Sequence, residues 1–283
     1  ATRGRAPILL ETLAELDRQT RPADRIIVSH AAPEDVAGVT ARFPGVEFLT
    51  GASGLPAQRN RILDAIGDCD AVAFFDDDFL PAPGWLAALA AVLEARPDCM
   101  VATGVVLADG AKGPGIAGAE ARAILAGAPP PADALATAPA FNAYGCNMAL
   151  RLAPIRAHGI RFDEALPLYA WYEDIDLSRR LLPHGAILRL LGAQGVHLGT
   201  KKGRVPGVRL GYSQVANPLY LARKGSFPWS HAIPSAARHC LINALKSVRP
   251  EPEVDRRGRL RGNLLALSDL LRGRMRPDRV LDL

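Results

Sequence analysis

A chain of 283 residues, 49% of them apolar and 6% aromatic, has room for one large domain, or one domain with an appendage, around a substantial core. No run reaches the eighteen or more apolar residues of a membrane-spanning helix. Four scattered cysteines with no Cys-x-x-Cys pair (Cys69, Cys99, Cys146 and Cys240) argue against a disulfide frame or zinc site and for the reduced thiols of a cytoplasmic protein. The net charge of +5 is uneven, since ten Lys and Arg face six Asp and Glu from Lys246 to Leu283. That basic end suits an anionic partner or a solvated helical surface.

In chain order, leucines at helical spacing with Pro7 in the first turn predict a helix over 6–19. "RIIVS" (25–29) reads as a strand, "PEDVAGVTARF" (33–43) as a helix, "VEFL" (46–49) as a strand and 55–66 as a helix. "AVAFF" (71–75) is an all-apolar strand of the kind covered on both faces. A helix over 84–96 and a strand over 100–107 follow. This alternation predicts an α/β fold with a mostly parallel central sheet flanked by helices. Such a fold normally opens on a strand, whereas this sequence opens on a turn and a helix. A first strand, roughly 5–6 residues long by the usual average, is therefore expected to be missing from the sequence, ahead of Ala1.

The pattern then changes. Residues 108–139, rich in Gly, Ala and Pro, read as a long mobile excursion. "AFNAYGCNMALR" returns to strand order, "EDIDLSRRLLPHG" is a helix stopped by Pro183 and Gly185, and "AILRLL" and "AQGVHLG" are two short strands. "TKKGRVPGVR" is a basic loop, and the chain reads as helical beyond Gly211. The division expected is 1–211 for an α/β domain and 212–283 for a helical C-terminal appendage.

Chemistry concentrates at Asp76, Asp77 and Asp78. On extended backbone Asp76 and Asp78 share a face and Asp77 takes the other, at the C-terminal strand end where open α/β sheets bind ligands. Paired carboxylates there suit Mg2+ or Mn2+ bridging to phosphates; an exposed acidic turn is the plainer reading. Glu173 and Asp174 open a helix, where acids serve as caps or, beside a metal, as a general base. His197 ends a short strand just before Lys201, Lys202 and Arg204, as a structural imidazole or as a ligand.

The order "ETLAELDRQTRPADRIIV", "GLPAQRN", "FFDDD", "GCNMALR", "WYEDIDLSRRL", "HLG" resembles the inverting family 2 glycosyltransferases of GT-A, Rossmann-like fold over about the first 200 residues. The resemblance implies that Asp76 and Asp78 are the DxD pair holding Mn2+ or Mg2+, with His197 as third ligand. It implies that Asp77 meets the donor ribose and that Asp174 takes the proton of the acceptor hydroxyl. Thr2, Arg3, His30, Arg59 and Asn60 fall at the nucleoside, and Lys201, Lys202 and Arg204 read as a mobile lid over the diphosphate or, equally, as an ordinary charged surface turn. Asn147, Trp171, Tyr172 and Glu173 fall at the sugar or acceptor, although Asn147 and the two aromatics read equally as packing. His30 stands where the family places a base-reading aspartate, which leaves the nucleobase open.

The expected partners are a nucleotide-diphosphate sugar donor and a saccharide or lipid-linked saccharide acceptor, in bacterial-type polysaccharide or glycoconjugate synthesis of hexosyltransferase type. A metal-dependent nucleotidyltransferase is the alternative enzyme, but "ATRGRAP" is a poor phosphate loop and the Glu173–Asp174 helix would have no role. A nucleic-acid binder is disfavoured by acids at the centre of the sheet. Leu260, Leu264, Leu267 and Leu271 recur at helical spacing between arginines. Packing on the domain is the default for that helix; peripheral membrane contact through 249–283, at the inner face, or dimerisation are the others.

Overall fold

The computed structural model describes residues 1–131, 133–201 and 206–283. Chain proximity divides them into two compact units. The first holds Ala1–Ser53, Gln58–Arg161 and 180–201, and the second Gly54–Ala57, Phe162–Arg179 and 206–283.

In the first unit, α1 (Ala6–Leu16) starts with Pro7 in its opening turn, where a missing N–H costs nothing. Its apolar stripe, Ala6, Leu9 and Leu13, packs with Val28 of β1 (Ile27–His30) and with Val36, Val39 and Phe43. The helix expected over 33–43 is broken. A 3-10 turn covers Pro33–Val36 and α2 only Val39–Arg42, because Gly38 between them is left-handed at φ 74°. β2 (Glu47–Thr50) pairs in parallel with β1, and the two form a sheet of their own. α3 (Leu55–Ala65) opens in the second unit and closes in the first.

The main sheet contains β3 (Ala71–Phe75), β4 (Phe79–Pro81), β5 (Cys99–Asp109), β6 (Thr137–Pro139), β7 (Asn147–Arg151) and β8 (Ala186–His197), in the order β3-β7-β5-β8-β4 with β6 also on β8. α4 (Trp85–Ala95) lies across one part of it, with Trp85, Leu89 and Val92 buried against Ala102, Ala149 and Leu188. The α/β class with a helix-flanked central sheet is as expected, but the sheet is mixed rather than mostly parallel. β5 and β8 run parallel, while β7 is antiparallel to both β3 and β5, and β8 to both β4 and β6. β4 follows β3 through a turn of three residues, and β7 enters after an excursion rather than a helical crossover, so neither has the connection a parallel pairing needs.

Residues 108–139 are not a structureless excursion. α5 (Gly118–Gly127) lies within them and buries Ala121 against Leu80, Val196 and Leu198, and β6 pairs with β8. The alanines of this stretch favour the helix, alanine being the best helix former. The two short strands expected around residue 190 are one strand, β8, whose register against β5 shifts between Gly104 and Val105. α6 (Leu152–His158) follows β7 directly and ends on Gly159 at φ 60°.

α7 (Glu173–Leu181) begins in the second unit and ends in the first. The rest of the second unit is helical: α8 (Gly207–Lys224), α9 (Trp229–Lys246) and α10 (Arg256–Leu271). Its cores join Leu166, Ala170, Ile175 and Phe227 to Leu221, and Tyr212, Val215 and Leu219 to Ala236 and Ala266. The leucine stripe of α10 is not its packing face, contrary to the default expectation. The helix packs through Gly262, Asn263, Ala266 and Asp269, while Leu264 and Leu271 are exposed.

Candidate active site

The apolar run of β3 ends at Phe75, and the chain turns before β4 resumes at Phe79, with Phe79 N–H donating to Asp76 O at 3.1 Å. The three aspartates occupy that turn. Asp76 and Asp78 therefore meet through the turn, and not through strand alternation as the sequence suggested. Pairing of Phe79 with His197 across β4 and β8 brings the imidazole to the same place. One ligand atom each from Asp76, Asp78 and His197 lies within 4.8 Å of the others.

These charges are supported from several sides. Arg59 is 1% exposed, and its Nη2 donates to Asp76 Oδ1 at 2.9 Å and to Gly145 O at 2.8 Å. Arg5 Nη1 reaches Asp77 Oδ1 at 3.0 Å and Asp78 Oδ2 at 3.5 Å. Thr200 N–H donates to Asp78 Oδ2 at 2.8 Å, and Leu198 N–H to Asp78 O at 2.8 Å. Burial opposes ionisation of Asp78, but the His197 ring, Arg5 and the Thr200 N–H outweigh it and hold its pKa below the ordinary value. Asp77 points into the unit, where Thr2 Oγ1 donates to its Oδ2 at 2.7 Å and Thr12 Oγ1 to its carbonyl at 2.7 Å. Burial dominates there and lifts the Asp77 pKa to about 6 against the pull of Arg5.

His197 is held from behind. Its Nδ1 lies 2.8 Å from Asp109 Oδ1, and its Nε2 3.4 Å from Asp78 Oδ1. Tyr144 donates its hydroxyl to the other Asp109 oxygen at 3.1 Å, and its ring meets the imidazole edge-on at 5.8 Å. Burial disfavours the imidazolium, but bonds to Asp109 and Asp78 prevail and raise its pKa to about 10. Burial likewise works against the Asp109 charge, yet His197, the Ala111 N–H and Tyr144 bring it down to about 2. Metal-ligating histidines commonly rest their second nitrogen on a carboxylate. Two carboxylates and an Nε2 form a hard oxygen and nitrogen set suited to Mn2+ or Mg2+.

Asp109, Tyr144 and Arg5 escaped the sequence reading. The strand expected over 100–107 runs on to Asp109, and its last residue is in register with His197. A tyrosine and an arginine in irregular segments carry no pattern signal.

The other expected residues of the first unit divide by environment. Thr2 is tied to Asp77 and, through its backbone N–H, to Ser29 O at 3.0 Å; Arg3 is exposed. His30 has both ring nitrogens engaged, Nδ1 with Ala32 O at 3.0 Å and Nε2 with Thr50 Oγ1 at 3.1 Å. Asn60 is buried one residue after Arg59. Asn147 gives its amide oxygen to Thr103 Oγ1 at 3.0 Å and Gly104 N–H at 2.6 Å, a link between β7 and β5. Lys201 Nζ donates to Gly110 O at 3.0 Å and Ala111 O at 3.2 Å, beside Asp109. Lys202 and Arg204 lie outside the described residues.

The second unit carries Trp171, Tyr172, Glu173 and Asp174. Trp171 stacks on Tyr172 with centroids 5.1 Å apart, and Tyr172 Oη lies 2.6 Å from Ser235 Oγ. Leu168, Ala170 and Tyr172 all have left-handed backbone, at φ 60°, 51° and 76°. Three such non-glycine residues leading into α7 cost on the order of 1 kcal/mol each and persist only where the surroundings fix them. The α7 acids differ. Asp176 is fully buried, accepting from Ser226 Oγ at 2.6 Å and Lys224 Nζ at 2.9 Å. Glu173 is buried, and Asp174 is only half-buried, with Oδ1 accepting the Ile175 N–H at 2.8 Å. Of the three, Asp174 is the carboxylate on a helix N-terminus that solvent reaches.

Comparison with known proteins fits this layout. No curated protein sequence matches the chain. Among solved structures, a mannosyltransferase from Pyrobaculum calidifontis in complex with GDP-Man and Mn2+ is similar with a TM-score of 0.55 and 17% identity, over 95% of this chain and 78% of that one. GalNAc-T7 with UDP, GalNAc and Mn2+ is similar with a TM-score of 0.56 and 13% identity, over 94% of this chain and 54% of that one. S. aureus TarS gives 0.50 and 14%, over 87% and 44%. At such identities the likeness establishes the shared GT-A architecture. Sequence carries it further: the model described as Glycosyl transferase family 2 matches residues 1–149, more than half the chain and the stretch that contains the aspartate turn, and the protein belongs to that family.

Proposed function

We propose that the protein is an inverting, metal-dependent hexosyltransferase. It moves a sugar from a nucleotide-diphosphate donor to a hydroxyl of a saccharide or lipid-linked saccharide, in bacterial-type polysaccharide or glycoconjugate synthesis. The observation that carries this reading is the grouping of Asp76, Asp78 and His197, with Asp109 behind the imidazole. Two structural neighbours were solved with Mn2+ and with a nucleotide or nucleotide-sugar, which supports the same donor chemistry here.

In this reading Asp76, Asp78 and His197 Nε2 hold the ion, Mn2+ or Mg2+. A divalent ion there supplies Lewis-acid stabilisation to the departing diphosphate. Asp77, buried and anchored by Thr2 and Arg5, fixes the turn beside the ribose rather than contacting it, and Arg3, His30, Arg59 and Asn60 shape the nucleoside end. Lys201, with Lys202 and Arg204 of the same basic stretch, neutralises the diphosphate and excludes water from it. Asp174 takes the proton of the acceptor hydroxyl as its oxygen bonds to the anomeric carbon and the bond from that carbon to the diphosphate breaks. Trp171 and Tyr172 give the acceptor an aromatic face beside Glu173, and Asn147 keeps β5 and β7 in place beneath the donor sugar. Residues 1–211 are assigned to catalysis and 212–283 to the appended helices.

The test is hydrolysis and transfer across a panel of nucleotide-sugars, with Mn2+, with Mg2+ and with chelator. Turnover with one donor that is abolished by chelator and restored by either ion is expected. Turnover indifferent to chelator would remove the metal assignment of Asp76 and Asp78.

A further inference from the structure

The second unit packs its helices with the small side inward. α8 and α10 approach so closely that a Cβ on Gly262 would lie 2.1 Å from Val208 O. Asn243 of α9 bridges Gln214 Oε1 and Asn263 Oδ1, each at 2.9 Å, and Asn263 donates to Gly211 O at 2.7 Å. The buried positions of α9 are Ala232, Ala236 and Asn243. The large apolar side chains point the other way. Ile233, Leu241, Leu245 and Val248 are 55%, 60%, 67% and 76% exposed, and Leu264 and Leu271 of α10 58% and 88%. At 100° per residue Leu241 and Leu245 of α9 fall on the face opposite Ala232, Ala236 and Asn243, Ile233 lies to the side of it, and Val248 follows just beyond the helix. Where the end of α9 meets α10, a groove of about 410 Å³ is lined by Ser247, Arg257, Leu260, Arg261, Leu264 and Leu265. Large exposed apolar side chains gathered on the outer sides of two neighbouring helices mark an interaction face.

Charge selects the partner. α9 contains no Asp or Glu, and α10 contains only Asp269, which is buried and bonded to Tyr212 Oη and Arg274. Arg238, Arg249, Arg257 and Arg261 have no acidic partner among the described residues. A second copy docked by two-fold symmetry would set these arginines against themselves. A nucleic acid would leave the leucines uncovered. No helix among the described residues is long and apolar enough to cross a membrane. An apolar stripe flanked by unpaired arginines is the pattern of a helix lying in a bilayer interface, with arginine stems along the acyl boundary and guanidinium groups at lipid phosphates.

We infer that the outer face of α9 and α10, centred on Leu241, Leu245, Leu264 and Leu271 with Arg249, Arg257 and Arg261, docks this protein on a bilayer surface containing anionic lipid. The inference stands independently of the donor, the metal and the reaction.

Co-sedimentation of the full chain with vesicles of phosphatidylcholine alone, or with 30% phosphatidylglycerol, tests it. At least tenfold stronger partitioning onto the anionic vesicles is expected, weakening with salt. Changing Leu241, Leu245, Leu264 and Leu271 together to Gln is expected to lower binding at least tenfold with unchanged circular-dichroism melting, since the side chains are exposed. Changing Arg249, Arg257 and Arg261 to Gln is expected to lower it about a hundredfold, at roughly fivefold per basic residue near the surface. Equal partitioning onto neutral and anionic vesicles overturns the inference, as does binding that neither variant alters. Concentration-dependent dimerisation without vesicle binding, abolished by the leucine variant, overturns it in favour of a second copy. If the leucine variant melts early, the arginine variant decides alone.

Discussion

Binding of a divalent ion at Asp76, Asp78 and His197 should release close to one proton per ion at neutral pH. The imidazole, between Asp109 at 2.8 Å and Asp78 at 3.4 Å, has its pKa raised to about 10, so at pH 7.5 nearly every ring is protonated, whereas about a tenth would be at the ordinary value of 6.5. A ligand nitrogen must be free of its proton, so the ion displaces it. The apparent affinity should therefore rise about tenfold per pH unit, or about a hundredfold between pH 6.5 and 8.5. Asp78 adds nothing to this slope, since its pKa is held below the ordinary carboxylate value. The assay is calorimetric titration with Mn2+ under argon in buffers of differing ionisation enthalpy, which yields the proton count directly. His197→Gln should release almost none. Asp109→Asn removes the main anion behind the ring, so it should lower the count at pH 7.5 and weaken binding about 10- to 100-fold at the alkaline end, where proton competition has faded and orientation alone remains. Wild-type binding with no proton release and no pH dependence would refute His197 as a ligand. A normal proton count and affinity in Asp109→Asn would refute the role of Asp109.

Three further outcomes follow from the same geometry. The folded-state pKa of His197 lies above its unfolded value, so its stabilisation is complete below about pH 6.5 and is lost as pH rises toward 10. Thermal melting of the chelator-treated protein should fall across that window, by up to about 1.4 kcal/mol per pH unit, and His197→Gln should flatten the curve; a flat wild-type curve refutes the ion-pair assignment. Asp174→Asn should lower kcat by about 10²- to 10⁴-fold while donor affinity stays within about twofold, and an equal loss of donor binding would make Asp174 a structural residue. Gly199→Ala should cost about 2 to 4 kcal/mol, read as a fall in the melting midpoint, because Gly199 has φ +65° and a Cβ there would lie 2.1 Å from Gly110 C. Gly113→Ala, into open space, should be neutral, and equal stability of the two variants would refute the close approach.

The site was more legible than the sheet around it. Asp76, Asp78, Asp174 and His197 stand out because ionisable groups at the ends of apolar strands and at a helix start have few plain explanations. Asp109 is not legible in the sequence, since "VVLAD" fades into a Gly- and Ala-rich stretch just where that carboxylate sits. The direction of β7 was not legible either. An apolar strand reads the same in both directions, and what sets its antiparallel pairing is the path of residues 108–146, which includes α5. The leucines of α10 recur at helical spacing as expected, but they lie on its outer side, and other leucines around the helix leave it without a one-sided apolar pattern. In α8, α9 and α10 the close contacts are made by Gly211, Gly262, Ala266 and Asn263, and small residues that let helices approach give no hydrophobic period.

A cluster of aspartates this buried could serve as a metal site on which folding depends, but its neighbours argue that the ion is a ligand for function alone. Arg59 neutralises Asp76, Arg5 lies between Asp77 and Asp78, and the protonated His197 is shared by Asp78 and Asp109. Burial lifts the Asp77 pKa to about 6, so about a quarter of its charge is gone at pH 6.5 and Arg5 meets the rest. A carboxylate whose charge is met by a guanidinium needs no ion to be tolerated inside a protein. Removing the metal should therefore leave the fold intact: chelator should shift the melting midpoint at pH 6.5 by less than about 2 °C, against the several kcal/mol by which metal loss destabilises a domain whose folding depends on its ion. Donor binding, followed by nucleotide fluorescence or calorimetry in the same samples, should be lost. Unfolding on chelation would show that Arg5, Arg59 and the His197 proton do not suffice to hold the acids. Donor binding that survives chelation would separate Asp76 and Asp78 from the diphosphate.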